Sequence, residues 1–148
     1  MDYSLLISQL DAVTDGVENN ISNLANAAAL LYRGLDDVSW AGFYLAEGDA
    51  LALGPFQGKP ACTRIAKGRG VCGAAFESGG TVVVPNVHEF EGHIACDSES
   101  NSEIVVPLFK GGEVFGVMDI DSTSFGRFGE CDREALEAFA KALEARLV

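Results

Sequence analysis

Cys96 stands in a polar loop, between His93 and Asp97 in the run "GHIACDSESNSEIVVPL", with Glu103 close behind. A structural free cysteine normally sits in an apolar run. A thiol beside groups that move protons points instead to nucleophilic or redox chemistry, since the thiolate is the reactive form. Three more cysteines are present, Cys62, Cys72 and Cys131, and none of the four forms C-x-x-C. That leaves out a thioredoxin-type motif and a zinc ribbon. For any one of the four, the alternative is a small buried hydrophobe. A metal site could be drawn from His93, Cys96, Cys62 and His88, because "HIAC" has H-x-x-C spacing. It lacks a second close-spaced ligand pair, so no metal is expected. A Cys–His hydrolase is disfavoured too: the base lies too near in sequence and no oxyanion motif stands out.

The strand-like runs gather more groups. In "IVVPL", Ile104, Val106 and Leu108 point one way, while Glu103, Val105 and Pro107 point the other. In "VMDID", Met118 and Ile120 oppose Val117, Asp119 and Asp121. In "WAGFYL", Ala41, Phe43 and Leu45 alternate with Trp40, Gly42 and Tyr44. One face of each strand is aliphatic. The other faces together carry Glu103, Asp119, Asp121, Trp40 and Tyr44. Two readings stand side by side: a lined pocket, or the wet face of an antiparallel sheet. Asp is depleted in strands, and two on one face repel unless they share a proton or a cationic ligand.

The elements that position these residues follow from periodicity. The first third is helical: Leu6, Leu10 and Val13 share a face, which Val17, Ile21, Leu24, Ala28 and Leu31 continue after Gly16. Gly34 is a helix stop. "SWAGFYL", "AEGDA" and "LALGPF" make a hairpin, and "SEIVVPLF", "KGGE" and "VFGVMDIDS" make a second. "GRGVCGAAFESGG" is a short helix entered through glycines, and "TVVVP" a short strand. Leu136, Phe139, Leu143 and Leu147 mark a last helix, with Asp132 or Glu130 near its start. The order predicts one α+β domain over residues 1–148, with terminal helices against one face of a largely antiparallel sheet.

Composition narrows the function classes. The chain has 148 residues, a formal net charge of −12 and only 10 Lys and Arg. That excludes a nucleic-acid partner, which needs a basic face, and an anionic membrane surface. No apolar run reaches the ~18 residues of a membrane span. "MDYSLLISQL" lacks the basic region of a secretory signal, so the expected compartment is the cytoplasm.

At "WAGFYL", "LGPFQGKPACTRI", "GRGVCG", "VHEFEGHIACD", "NSEIVVPL", "GVMDIDS" and "FGRF", the sequence resembles the free methionine-(R)-sulfoxide reductases, a branch of the GAF-domain superfamily. With the flanking helices the resemblance covers essentially the whole chain. Cys62, Cys72 and Cys96 keep the family spacing. The resemblance implies a GAF-like antiparallel sheet, with N- and C-terminal helices on one face and a loop-covered pocket on the other. It implies reduction of free L-methionine-(R)-S-oxide to methionine, with no bound cofactor. Electrons would come from thioredoxin, and so from NADPH through thioredoxin reductase. Cys96 matches the nucleophile, Cys62 the principal resolving cysteine and Cys72 a third cysteine. Trp40, Tyr44, Glu103, Asp119 and Asp121 match substrate-pocket residues. Glu103 and Asp121 would handle the sulfoxide oxygen and its proton, and the carboxylates together the ammonium group. The superfamily also implies a homodimer through terminal helices. Cys131 matches no motif. The alternative is a non-enzymatic GAF domain that senses a small molecule in the same pocket, since fold does not fix function.

Overall fold

The computed structural model describes residues 2–93 and 99–148. A six-stranded antiparallel sheet forms the middle layer. Its strands are β1 (Trp40–Glu47), β2 (Ala50–Gln57), β3 (Arg64–Ala66), β4 (Val82–Val84), β5 (Ser102–Lys110) and β6 (Glu113–Ser122). Their order across the sheet is β3-β2-β1-β6-β5-β4. The β5–β6 hairpin turns through Gly111 and Gly112, whose φ values of 63° and 82° only glycine adopts freely. Two successive positive φ values match the twist of the flanking strands.

Helices α1 (Tyr3–Thr14), α2 (Asn20–Gly34) and α4 (Glu130–Glu144) cover one face. Leu6, Leu10, Leu24, Leu31, Leu136, Phe139 and Leu143 pack there against Ala41, Phe43, Ile104, Val106, Leu108, Met118 and Ile120. The aliphatic half of each strand alternation is therefore the main core. Local signals set the helix ends. Asp2 and Asn19 accept hydrogen bonds from the backbone N–H groups of Leu5 and Ser22. Asp132 reaches back to the N–H of Gly129 at 2.9 Å, while its other oxygen takes the Tyr3 hydroxyl at 2.7 Å. That pair ties the start of α4 to α1.

Helix α3 (Gly70–Ser78) lies on the opposite face, over β5 and β6. Val71, Cys72, Ala75 and Phe76 form a second core with Trp40, Tyr44, Val105 and Val117. The α+β expectation is met, as is the packing of the terminal helices on one face; the expectation of a pocket face covered by loops alone is corrected, because the apolar side of α3 packs there.

Four details depart from the periodicity. The single N-terminal helical face is two helices. α1 ends at Thr14, so Val13, Val17 and Ile21 face solvent, at 39%, 37% and 58% exposure, instead of joining the core. Leu147 follows the end of α4 and is half-buried rather than part of the helix face. Strand β3 was not expected, because "RIA" offers one apolar residue only. Nor was the 3-10 turn at Val87–Glu89, which the Asn86 side chain starts by accepting from the His88 N–H. No helix among the described residues is long and apolar enough to cross a membrane.

Candidate active site

Strand register assembles the site. Trp40 pairs with Asp121 and Asp121 with Glu103, so these three form one row across β1, β6 and β5. Asp119 occupies the next row on the same face, between Gly42 and Val105. Side chains so placed are neighbours on one sheet surface. That surface is not wet: Glu103, Asp119 and Asp121 are only 8%, 5% and 8% exposed. The buried pocket is the reading that holds. A small cavity opens over these acids.

An aromatic wall closes one side. Trp40 stacks on Tyr44 with ring centres 5.9 Å apart, and on Phe56 at 5.2 Å. The register of β2 shifts near Gly54 and Pro55, so β2 brings Phe56 opposite Gly42. Such a bulge re-aims side chains beside a site. Gly42 has to lack a side chain, because a Cβ there would lie 2.3 Å from Phe56 Cβ and 2.9 Å from the Trp40 ring.

The same aromatics hold down the segment that carries Cys62. Trp40 Nε1 donates to the Lys59 carbonyl at 3.0 Å, and the Tyr44 hydroxyl to the Cys62 carbonyl at 3.1 Å. Pro60 and Ala61 thereby line the mouth. Lys59 also pairs with Glu99. Cys62 is disulfide-bonded, whereas Cys72 and Cys131 are free thiols, buried and exposed respectively. Cys96 lies outside the described residues.

Helix α3 supplies the remaining wall. Cys72 Sγ is 3.9 Å from Glu103 Oε2. Burial, then the charges of Asp119, Glu103 and Asp121, push the Cys72 thiol well above its ordinary range. Cys72 is thus held protonated. Burial likewise raises Glu103, with the Asp119 charge adding to it. Burial and the Asp121 charge raise Asp119. Carboxyls in this state keep protons at pH values where free ones have lost them. His93 lines the pocket, with its ring 6.3 Å from that of His88 in an edge-on contact. Burial and then His88 lower it, which favours its neutral form. His88 is held elsewhere, 2.8 Å from the Asn101 side chain.

Sequence reasoning missed Arg69 and Ser100. Arg69 lines the pocket just before α3, and its side chain makes no hydrogen bond or ion pair among the described residues. Among the described residues, helix α3 has no side-chain cap, and the N–H groups of Val71 and Cys72 have no backbone acceptor. Such a helix start favours anions. Ser100 is 5% exposed and its Oγ has no partner among the described residues, as is true of Asp119 Oδ1. The pocket is bipolar: three acids on the sheet, and an arginine with free N–H donors on the helix. Of the expected pocket residues, Trp40, Tyr44, Cys72, Glu103, Asp119 and Asp121 all line it, and the Cys62 segment closes over it.

Comparison with known proteins gives a consistent picture. Residues 9–147 match the GAF domain family. The chain is 51% identical to the free methionine-R-sulfoxide reductase of Escherichia coli, over 96% of this chain and 86% of that protein. It superposes on the substrate complex of fRMsr of Staphylococcus aureus with a TM-score of 0.95 and 48% identity, covering 99% and 96% of the two chains. The Neisseria meningitidis free methionine-R-sulfoxide reductase, also in complex with its substrate, gives 0.94 and 48%, covering 97% and 87%.

Proposed function

For a chain that belongs to the GAF family, and within it to the free methionine-R-sulfoxide reductases, we propose that this pocket reduces free L-methionine-(R)-S-oxide through a cysteine sulfenic acid and a disulfide. The observation that carries the reading is the burial of Glu103, Asp119 and Asp121 under the Cys62 segment, opposite Arg69 and the start of α3. Burying the Glu103 and Asp119 carboxylates side by side is unfavourable unless they share a proton or meet a cation. A zwitterion supplies both signs: its ammonium suits the acids, and its carboxylate suits Arg69 and the free N–H groups of Val71 and Cys72. The Trp40 and Tyr44 rings, with Phe56 stacked on Trp40, suit the methylthio end.

The chemistry then assigns roles. The Cys96 thiolate attacks the sulfoxide sulfur. The sulfoxide oxygen must be protonated as its bond to that sulfur breaks, and it finishes on Cys96 as a sulfenic acid while methionine leaves. Glu103 is the proton source, since burial keeps it protonated, and Asp121 stands beside it in the same cross-strand row. Cys62 attacks the sulfenic sulfur, a disulfide forms and water departs. The two electrons taken from the thiol pair are returned by a dithiol such as thioredoxin, which reduces a labile disulfide. Cys72 stays a thiol and takes no bond-making step.

The test compares kcat/KM for free, N-acetylated and peptide-bound (R)-sulfoxide on one preparation. The free amino acid should win by about 10⁴, because its competitors leave buried charges unpaired. Values within about threefold would remove free-substrate specificity. In parallel, Cys62→Ser should release about one methionine per enzyme in a single turnover, by the two-thiol logic. Cys96→Ser should release none. Turnover surviving in Cys96→Ser would sink the nucleophile assignment.

A further inference from the structure

The proposed reaction leaves Cys72 without a step of its own, yet its surroundings are elaborate. Its sulfur, one carboxylate oxygen of Glu103 and one of Asp119 all lie within 4.8 Å of one another. All three residues are buried, Cys72 at 4% exposure. Asp119 Oδ1 is buried with no hydrogen-bond partner, and so is the nearby pocket hydroxyl of Ser100. Two acids and a thiol have been brought into one dry corner, where Asp119 Oδ1 is left without a partner among the described residues.

We propose that Cys72, Glu103 and Asp119 form a binding site for a thiophilic divalent cation of the zinc and cadmium class, and that its occupancy closes the substrate pocket. The donor set decides the class. One thiolate with two carboxylates suits borderline and soft ions, whereas magnesium and calcium take oxygen donors alone. The scale fits as well. Zinc bonds of about 2.3 Å to sulfur and 2.0–2.2 Å to oxygen put tetrahedral donors roughly 3.5 Å apart. Side-chain shifts of about 1 Å close the present cluster to that size. A fourth position then faces the cavity, open to water.

Binding is an exchange of protons for metal. The ion takes the Cys72 thiolate and one oxygen from each carboxylate, and up to three protons leave to solvent. No electrons move. The ion replaces the protons that otherwise keep like charges apart in this corner. It also occupies the ground that the reductase reading gives to the substrate ammonium. The inhibitory half of the proposal rests on that reading; the binding half does not.

The experiment uses cadmium chloride as the probe, on the full chain with its Cys62 disulfide formed and with Cys131→Ser, since Cys131 is an exposed thiol that would bind cadmium by itself. One equivalent should bind, with an ultraviolet thiolate-to-cadmium band and a ¹¹³Cd resonance of one sulfur with oxygen donors. The resonance is read without altering the site, so it stands even if site variants fail to fold. Two or more sulfur donors, none, or no saturable binding would overturn the proposal. In the same background Cys72→Ser should abolish the band, and Asp119→Asn should weaken binding by at least about tenfold, as lost metal-site partners do. A band that persists in Cys72→Ser, or an affinity unchanged in Asp119→Asn, would also overturn it. With the disulfide still formed, so that it offers cadmium no thiol, cadmium should displace free methionine from the pocket in competition. Cadmium and methionine bound together without competition would overturn the inhibitory half. A chain that binds cadmium as described but never reduces methionine sulfoxide would instead count against the reductase reading.

Discussion

Asp119→Asn should make the protein more stable at neutral pH while damaging the reaction. Asp119 and Glu103 present ligand oxygens no more than 4.8 Å apart, and both are buried. Two unit charges at that separation repel by about 3 kcal/mol at an effective dielectric constant of about 20. Burial raises both groups above their ordinary values, so the sign of the linkage is the reverse of a salt-bridged carboxylate. As pH climbs past the ordinary carboxyl range, the unfolded chain ionises first and the folded state loses ground. Each such group removes about 1.4 kcal/mol per pH unit until it ionises in the fold. Asparagine escapes that penalty, and its amide can donate to Glu103. The variant should therefore gain about 2–3 kcal/mol at pH 8, which is about 5–10 °C in Tm for a chain of this size. Below about pH 4 the gap should close, because both states of the wild type are then protonated there. Thermal unfolding by circular dichroism at three pH values measures this. A variant equal to or less stable than the wild type at pH 8, or a gap that does not widen with pH, would refute the argument. Activity on free methionine sulfoxide should meanwhile fall steeply.

Gly42→Ala should destabilise the chain by about 1–3 kcal/mol, as overpacking does, because the new Cβ meets Phe56 and Trp40; chemical denaturation reads the loss, and a neutral result would mean that the aromatic wall yields easily. Asp132→Ala should cost about 1 kcal/mol at neutral pH through loss of the α4 cap. For Asp132 burial opposes ionisation, but hydrogen bonds from Tyr3 and the Gly129 N–H, with Arg127, outweigh it and lower its pKa. Its contribution is present above the ordinary aspartate range and lost as pH falls through the lowered value, so the gap between wild type and variant should vanish at strongly acidic pH. Arg69→Ala should raise KM for the free amino acid at least about tenfold with little change in kcat, the pattern for lost uniform binding; an unchanged KM would remove Arg69 from carboxylate recognition.

The central strands were legible because their alternation has a period of two. Glu103, Asp119 and Asp121 had to share a face with Trp40 and Tyr44 once β1, β5 and β6 lay side by side. Whether that face met water was not legible. It depends on α3 and on the Cys62 segment, which Trp40 and Tyr44 draw in by bonds to backbone carbonyls far along the chain. The helical face through Val13, Val17 and Ile21 failed for a related reason. Periodicity continues across a turn on paper, but the break after Thr14 lets the two helices present different faces. Arg69 and Ser100 left little signal, since "GRG" and "SESNS" look like any solvated loop. An arginine directly before an uncapped helix was the one available hint.

The most direct test of the account supplies the separated (R) and (S) epimers of free methionine sulfoxide, in turn, to the reduced protein with thioredoxin, thioredoxin reductase and NADPH, and follows methionine and NADPH together. The account predicts one methionine formed per NADPH consumed with the (R) epimer, and negligible formation with the (S) epimer, because a pocket with an acid pair on one side and an aromatic wall on the other holds the sulfoxide oxygen in a single direction. Equal reduction of both epimers, or no methionine from either, would contradict it.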